Sequence, residues 1–221
     1  MRKLTKATKP TVLIDNDATW TSELLAAQKG SVEYKAIESR YNEVSVKDAL
    51  REETRAKCAY CESRIEAVAW LHIEHIVPKS AEPSLTFEWT NLTLACPICN
   101  NKKGTRRPTI SNFVHPYDDD PENRLGFVGN MIKSAPGDAA AANMIHWIDL
   151  NRVELFVERT EVVIRVRDIF EQAIKLPADV RKEFVELSLA PLIAPAAKFS
   201  RVALCSAALF EVEYSAELDA A

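Results

Sequence analysis

The chain has 221 residues, of which 47% are hydrophobic and 27% are charged. These fractions are typical of a globular protein with one large or two small domains, and they exclude extensive disorder. The formal net charge is −4, so the surface as a whole carries no positive excess that would drive nonspecific binding to nucleic acid. Any such contact must therefore be local.

Residues 1–57 predict a helical N-terminal lead-in. One helix is expected over residues 18–29, which close at Gly30, and a second over residues 46–57, which follow Ser45. The N-terminus lacks the apolar run of a signal peptide, and no segment of the chain is apolar over the length that a membrane span needs. We therefore expect a cytoplasmic protein that does not contact a membrane.

Four of the five cysteines form two C-x-x-C pairs, Cys58 with Cys61 and Cys96 with Cys99. In a reducing compartment such pairs favour metal over disulfides, and two of them supply the four thiolates of a closed, structural zinc site. A thioredoxin-like redox pair would need a single C-x-x-C in a βαβ context. Chance pairing of buried cysteines would not explain the matched spacing. The sequence therefore predicts structural zinc in a core over residues 58–114.

Between the pairs, the sequence LHIEHIVPKS predicts a strand over residues 71–77, and LTLA predicts another over residues 92–95. Strand alternation puts His72 and Glu74 on one face and His75 on the other. Taken alone, these could be solvated polar residues of an edge strand. An asparagine at position 91 and another at position 100, directly after the second cysteine pair, make the set more informative.

This set resembles the HNH endonucleases, whose ββα-metal core has an acid and a histidine ending the first strand, then an asparagine, then a histidine or asparagine on the following helix. The resemblance implies an α+β fold, a zinc-stapled ββα-metal core flanked by N-terminal and C-terminal α-helices. It also implies a metal-dependent endonuclease that hydrolyses phosphodiester bonds, with DNA as the expected substrate and RNA as the alternative. The matching catalytic residues are Glu74, His75, Asn91 and Asn100.

The chemistry fits these residue types. Neutral imidazole suits a general base near pH 7, which is the role expected for His75. Glu74 and Asn100 offer hard oxygen ligands for a catalytic Mg²⁺, or Mn²⁺ in its place, and Asn91 is expected to hold the loop around His75. His72 is a further candidate metal ligand, although a solvated strand histidine is an equally good interpretation.

A basic run follows the second cysteine pair. The residues expected to contact phosphates are Lys79 in the VPKS loop together with Lys102, Lys103, Arg106 and Arg107. The alternative is a solvated charged surface. Trp89 is expected to pack in the core.

Residues 115–221 predict a turn-rich connector with a hairpin over residues 126–132, then helices over residues 153–175, 178–189 and 196–210. Beyond the core, the chain resembles the HNH subunit of Septu anti-phage systems, also found beside some retrons. Motifs such as CAYCES, FEWTNLTLACPICNNKKG and HPYDDDPENRLGF carry this resemblance. It implies a role in bacterial defence and an ATPase partner subunit.

The C-terminal region and the overall function each allow two interpretations. The C-terminal helices could dock the partner, with Leu192, Ile193 and Phe199 exposed near the prolines, or they could form a self-contained subdomain. The chain could also be a zinc-stabilised nucleic-acid-binding or scaffold module with an inactive HNH site. A zinc-dependent hydrolase is disfavoured because four cysteines would saturate the ion.

Overall fold

The computed structural model describes residues 1–64 and 72–219. The N-terminal part forms three helices, α1 (Thr11–Ala26), α2 (Val32–Glu38) and α3 (Val44–Thr54). The sequence predicted the first and third with shifted ends and missed α2. That helix begins where the Ser31 hydroxyl accepts the backbone N–H of Tyr34 at 3.0 Å, which is an ordinary N-terminal cap.

The centre of the molecule is a two-stranded antiparallel sheet followed by a short helix. Strand β1 (His72–His75) pairs with β2 (Leu92–Ala95), so that Glu74 lies opposite Thr93 and His75 opposite Leu92. β2 agrees with the sequence prediction, whereas β1 is shorter than the predicted strand over residues 71–77. Leu71, at the start of that prediction, lies outside the described residues.

Helix α4 (Pro97–Lys103) follows β2 without a loop. Cys96 caps its N-terminus by accepting the backbone N–H of Cys99, and Pro97 occupies the first helical position, where a missing N–H costs nothing. The helix ends at Gly104, whose φ of +56° is a conformation that residues with a Cβ rarely adopt. These local signals place α4 directly beside the ends of the two strands.

The N-terminal helices pack against the sheet. Leu13 and Leu24 of α1 and Leu50 of α3 share one buried cluster with Leu92 and Leu94 of β2. Trp89 belongs to the same cluster, and its indole N–H donates to the carbonyl of Ala7 at 2.9 Å. Trp89 thus packs in the core, as expected. Residues 1–57 are therefore part of the structural support of the central sheet.

The C-terminal part is a hairpin and a set of helices. Its elements are α5 (Pro121–Arg124), β3 (Leu125–Val128), β4 (Met131–Ser134), α6 (Ala139–Ile148), α7 (Val153–Ala173), α8 (Arg181–Ile193), α9 (Ser200–Glu213) and α10 (Ser215–Asp219). The predicted hairpin and long helix are confirmed. Pro191 lies inside α8 rather than in a connection between helices.

The expected exposure of Phe199 is wrong. Phe199 is 1% exposed and packs with Val202 of α9 in the same buried cluster as the four paired cysteines. Leu192 and Ile193 are half-buried against the helices of the C-terminal cluster. The start of α9 is therefore part of the core around the cysteines, because Phe199 and Val202 are buried there.

In the described part of the chain, no helix combines the length and apolar character that crossing a membrane requires. The mixed architecture of helices and a small sheet agrees with the α+β prediction.

Candidate active site and metal centre

The four paired cysteines converge on one point. Their sulfur atoms all lie within 4.8 Å of one another, and Sγ of Cys61 lies 4.0 Å from Sγ of Cys96. In a tetrahedral zinc site with Zn–S bonds of about 2.3 Å, neighbouring sulfurs are roughly 3.8 Å apart. Among the described residues, this is the one cluster of three or more histidine, cysteine or acidic ligands that could hold a metal ion. The donor set therefore fits a closed four-thiolate site.

A cationic side chain faces this cluster. Arg152 precedes α7, and its guanidinium nitrogens Nη1 and Nη2 lie 3.6 and 3.7 Å from Sγ of Cys99. Four thiolates around a divalent ion carry a net charge of −2, so a buried guanidinium beside the sulfurs offsets part of that charge. Arg152 thereby joins the start of α7 to the cysteine cluster.

Glu74 is a buried acid, 3% exposed, near the end of β1. The ammonium group of Lys103 donates to its Oε1 at 2.8 Å, and the Tyr60 hydroxyl lies 3.5 Å from the same oxygen. Burial lowers the pKa of Lys103 to about 8, so the lysine still carries most of its charge at neutral pH. Glu74 is thus held as a carboxylate of fixed orientation by contacts on one of its two oxygens.

His75 is also buried, and its ring has a defined orientation. Nε2 lies 2.9 Å from the carbonyl oxygen of Thr86. Because a carbonyl oxygen can only accept, Nε2 must carry the proton, and Nδ1 keeps its lone pair. Burial lowers the pKa of His75 to about 4, so the imidazole is neutral at pH 7. The Tyr41 ring packs edge-on against it, with the ring centroids 4.7 Å apart.

Asn91 fastens the loop that follows β1. Its Oδ1 accepts the backbone N–H of Val77 at 2.7 Å, while its Nδ2 donates to the carbonyls of Val77 at 3.0 Å and Leu85 at 3.1 Å. The backbone of Asn91 also accepts the N–H of Ile76. A single side chain therefore joins the end of β1 to the segment that carries the Thr86 carbonyl.

A cavity of about 250 Å³ brings the candidate catalytic residues together. Glu74 and His75 line it from β1, and Asn100 lines it from α4, where its side chain is half-buried. Asn91 is not among the described residues that line the cavity, and its side chain fastens the loop after β1. His72 is not among the described residues that line this cavity, so its part in metal binding stays a prediction.

The predicted phosphate-binding cations differ in exposure. Lys79 lies at the cavity and pairs with Glu38 at 3.0 Å. Lys102 pairs with Asp149 at 2.9 Å and Arg107 with Glu82 at 2.8 Å, both at the surface. The exposed Arg106 donates to the carbonyl of Lys102. Lys103 departs from the prediction, because its side chain is 1% exposed and engaged with Glu74.

Sequence reasoning did not identify several residues of this site. Glu38, the last residue of α2, and Tyr41, which follows that helix, line the cavity, and Tyr60 contacts Glu74. The sequence predicts Lys103 only as a phosphate contact and does not predict its contact with Glu74. No spacing rule connects these positions, because each reaches the site through packing between elements that are distant in the chain. The one available signal was the place of Lys103 in α4, three residues after Asn100 on the same helical face.

Comparisons with known proteins agree with the geometry. Residues 58–106 match the family model for HNH endonucleases. The chain is 30% identical over 158 residues to Septu protein PtuB of Bacillus thuringiensis. The alignment covers 71% of this chain and 57% of that relative. It is 29% identical over 197 residues to Septu protein PtuB of Bacillus mycoides (strain KBAB4). That alignment covers 73% of this chain and 67% of the relative.

The family match begins at the first cysteine of the cluster and ends just beyond α4. It therefore contains all four cysteines and the residues of β1 and α4 that line the candidate catalytic cavity. The chain spans little more than half the length of the first of these relatives. The resemblance predicted from the sequence is confirmed, because residues 58–106 match the HNH endonuclease domain.

Proposed function

We propose that this HNH domain, in a chain similar to Septu protein PtuB over most of its length, hydrolyses phosphodiester bonds of nucleic acid, with DNA as the substrate. One observation carries the proposal. Neutral His75, oriented by the Thr86 carbonyl, lines the same cavity as Glu74 and Asn100, while Asn91 fastens the loop beside it.

His75 is the general base. With its proton on Nε2, the imidazole presents Nδ1 as the nitrogen that can take a proton from an attacking water molecule. The low pKa ensures that this nitrogen is unprotonated at neutral pH. The Thr86 carbonyl then stabilises the imidazolium that forms, because Nε2–H continues to donate to it.

Glu74 and Asn100 would hold a divalent cation, Mg²⁺ or Mn²⁺. Carboxylate and amide oxygens are the ligands that such hard ions prefer, and both side chains line the cavity. When bound, the ion would neutralise negative charge on the scissile phosphate and the leaving oxygen. Lys103 and Tyr60 orient Glu74 through Oε1, so Lys103 would position this carboxylate and would not contact phosphate.

The cysteine cluster would hold one structural zinc ion. All four ligands are thiols, so a bound ion would have no open position for substrate. Its contribution would be mechanical, because it would join the turn at Cys58 and Cys61 to the N-terminus of α4, which carries Asn100. Arg152 would extend this support to α7.

The cations at the surface, Lys79, Lys102, Arg106 and Arg107, would contact phosphates on either side of the cut. Each has an acidic or carbonyl partner in this structure, and exposed pairs of this kind contribute only about 0–1 kcal/mol, so a phosphate can replace the partner. This local basic surface would offset the net charge of −4.

We further propose that the chain acts in anti-phage defence together with an ATPase partner, as its similarity to Septu proteins suggests. Helix α7 carries an exposed apolar face suited to docking, with Phe156 43%, Val157 55% and Ile164 42% exposed. Truncation before α9 would not test this interface, because Phe199 and Val202 belong to the core around the cysteines. Co-purification of a Val157→Asp/Ile164→Asp variant with the ATPase, against a wild-type control, tests the assignment of this face.

The nuclease assignment is tested by incubating the zinc-loaded chain, alone and with its co-expressed ATPase neighbour, with Mg²⁺ and duplex DNA, single-stranded DNA or RNA. We expect cleavage of DNA and a loss of at least about 100-fold in the His75→Gln variant. His146→Gln, which changes an exposed histidine outside the site, is the matched control. Absence of cleavage in every combination would instead support a binding or scaffold module.

A further inference from the structure

A second cavity lies beside the catalytic one. It has a volume of about 190 Å³, roughly six times that of a liquid water molecule. Its apolar lining comes from Ile76, Val77, Pro108, Ile110 and Phe113, and its polar lining comes from Thr109, His115, Asp118 and Asp119. A cavity with an apolar lining and two carboxylates suits a flat, amphipathic ring with hydrogen-bond donors on its edge.

Ile110 lies at the rim of this cavity and is 86% exposed. The turn that carries it is held firmly. The backbone N–H of Thr109 donates to Oδ1 of Asn112 at 2.7 Å, and the Thr109 carbonyl accepts the N–H groups of Asn112 and Phe113, each at 3.1 Å. Single exposed apolar side chains are common, but this one is presented by an ordered turn over a cavity.

Two segments of the chain contribute residues to both cavities. Residues 73–75 and 78–80 line the catalytic cavity, while Ile76 and Val77, between them, line the second. Likewise Thr105 lines the first cavity and Pro108 the second, with the exposed Arg106 and Arg107 between them. A nucleic-acid strand cleaved in the first cavity would therefore pass the two arginines to reach the second.

The carboxylates favour one kind of ring edge. Asp119 is already engaged, since its Oδ2 accepts the backbone N–H of His115 at 2.6 Å and its Oδ1 pairs with Arg124 at 3.0 Å. Asp118 is different, because its side chain is 84% exposed and its described contact is to the His115 ring at 3.2 Å. A carboxylate at the rim can accept from an exocyclic amino group of a base, as Asp does with cytosine N4.

We propose that the second cavity receives one unpaired nucleobase of the cleaved strand, with Ile110 packed against its face and Asp118 accepting from its exocyclic amino group. This inference rests on the proposed nuclease function and adds a base contact next to the cut. Base contacts of this kind discriminate between substrates, whereas contacts to phosphates do not.

The test compares two strands of equal length and charge, a short single-stranded DNA and the same sugar-phosphate backbone without bases. Binding is measured by fluorescence anisotropy with the full zinc-loaded chain and no added Mg²⁺, so that no cleavage occurs. For Ile110→Ala, we expect affinity for the strand with bases to fall about five- to tenfold, and affinity for the abasic strand to stay within about twofold. Val212→Ala, at a 75% exposed apolar position on α9, is the matched control and should change neither.

Asp118→Ala tests the polar half of the proposal. Wild type should prefer oligo(dC), whose bases carry amino groups, over oligo(dT), and the variant should lose that preference. Three outcomes would overturn the inference. Ile110→Ala could lower the affinity for both strands equally, it could leave both affinities unchanged, or the wild type could fail to bind single strands. If the wild type nevertheless cleaves nucleic acid in a His75-dependent manner, the proposed nuclease function stands without the base-binding cavity. If it neither binds nor cleaves any nucleic acid, both are overturned.

Discussion

Lys103 at the end of α4 donates its ammonium proton to Oε1 of Glu74 on β1 at 2.8 Å, and both side chains are almost completely buried. The pair joins the helix to the strand beside the cavity that both residues line. A buried charge that loses its partner is strongly destabilising, because it cannot recover its hydration. The pair therefore fixes the position of the Glu74 side chain.

We predict that Lys103→Met destabilises the protein by about 3 kcal/mol, because it leaves the Glu74 carboxylate buried without its cation. The Glu74→Gln/Lys103→Met double variant should recover part of this loss. Chemical denaturation of the zinc-loaded protein measures both effects. Lys102→Met, which removes an exposed lysine one position earlier, should change stability by no more than about 0.5 kcal/mol. Equal stability of the Lys103 and Lys102 variants would contradict the assignment.

Asn91→Ala should reduce the cleavage rate by at least about tenfold with a smaller effect on substrate affinity. The substitution removes the three side-chain hydrogen bonds that join the loop after β1 to the segment before Thr86, so His75 loses its fixed orientation. Single-turnover kinetics separate the rate from the affinity. Asn101→Ala, at an exposed position on α4, serves as the control and should behave as wild type. A fall in affinity alone would show that Asn91 acts on binding instead.

Zinc should be present at one ion per chain and be required for folding. Structural zinc contributes about 10–16 kcal/mol in zinc-finger peptides at neutral pH, comparable with the stability of a whole domain. Metal analysis and thermal melting of wild type and Cys96→Ser give the comparison, with Cys205→Ser as the matched control outside the cluster. A metal-free Cys58→Ser/Cys96→Ser protein that still melts cooperatively would refute a structural role.

The free energy of unfolding should depend on pH in the way expected for a histidine, His75, that is buried in its neutral form. His75 has a pKa of about 4 in the folded protein and about 6.5 when unfolded, so the unfolded chain binds more protons between these values. Stability therefore falls as pH is lowered from about 6.5 towards 4. The contribution of His75 to this fall between pH 7 and pH 5 is about 2 kcal/mol.

The measurement is chemical denaturation at the two pH values for wild type and for His75→Gln, which removes the titrating group. Acid-induced loss of metal from the cysteines is common to both proteins and cancels in the difference. Identical pH dependence in the two proteins would show that His75 titrates normally in the folded state.

The sequence by itself determined the parts of the site that depend on local spacing. Residues three apart in a C-x-x-C turn direct both sulfurs to one point, so the two cysteine pairs predicted one shared cluster. Adjacent residues of a strand face opposite sides, and Glu74 and His75 accordingly contact different groups, the Lys103 ammonium and the Thr86 carbonyl, although both line the cavity at the end of β1. The β2 strand and the long α7 helix were likewise readable from their periodicity.

Only the tertiary structure decided which groups surround these residues. Lys103 belongs to a basic run and had the pattern of a surface cation, yet the packing of α4 against β1 turned it inward onto Glu74. Tyr41 and Thr86 reach His75, and Phe199 enters the core around the cysteines, from distant parts of the chain. Periodicity describes how one element divides its residues between faces. It contains no information about which other element covers each face, because that depends on how all the apolar surfaces are buried together.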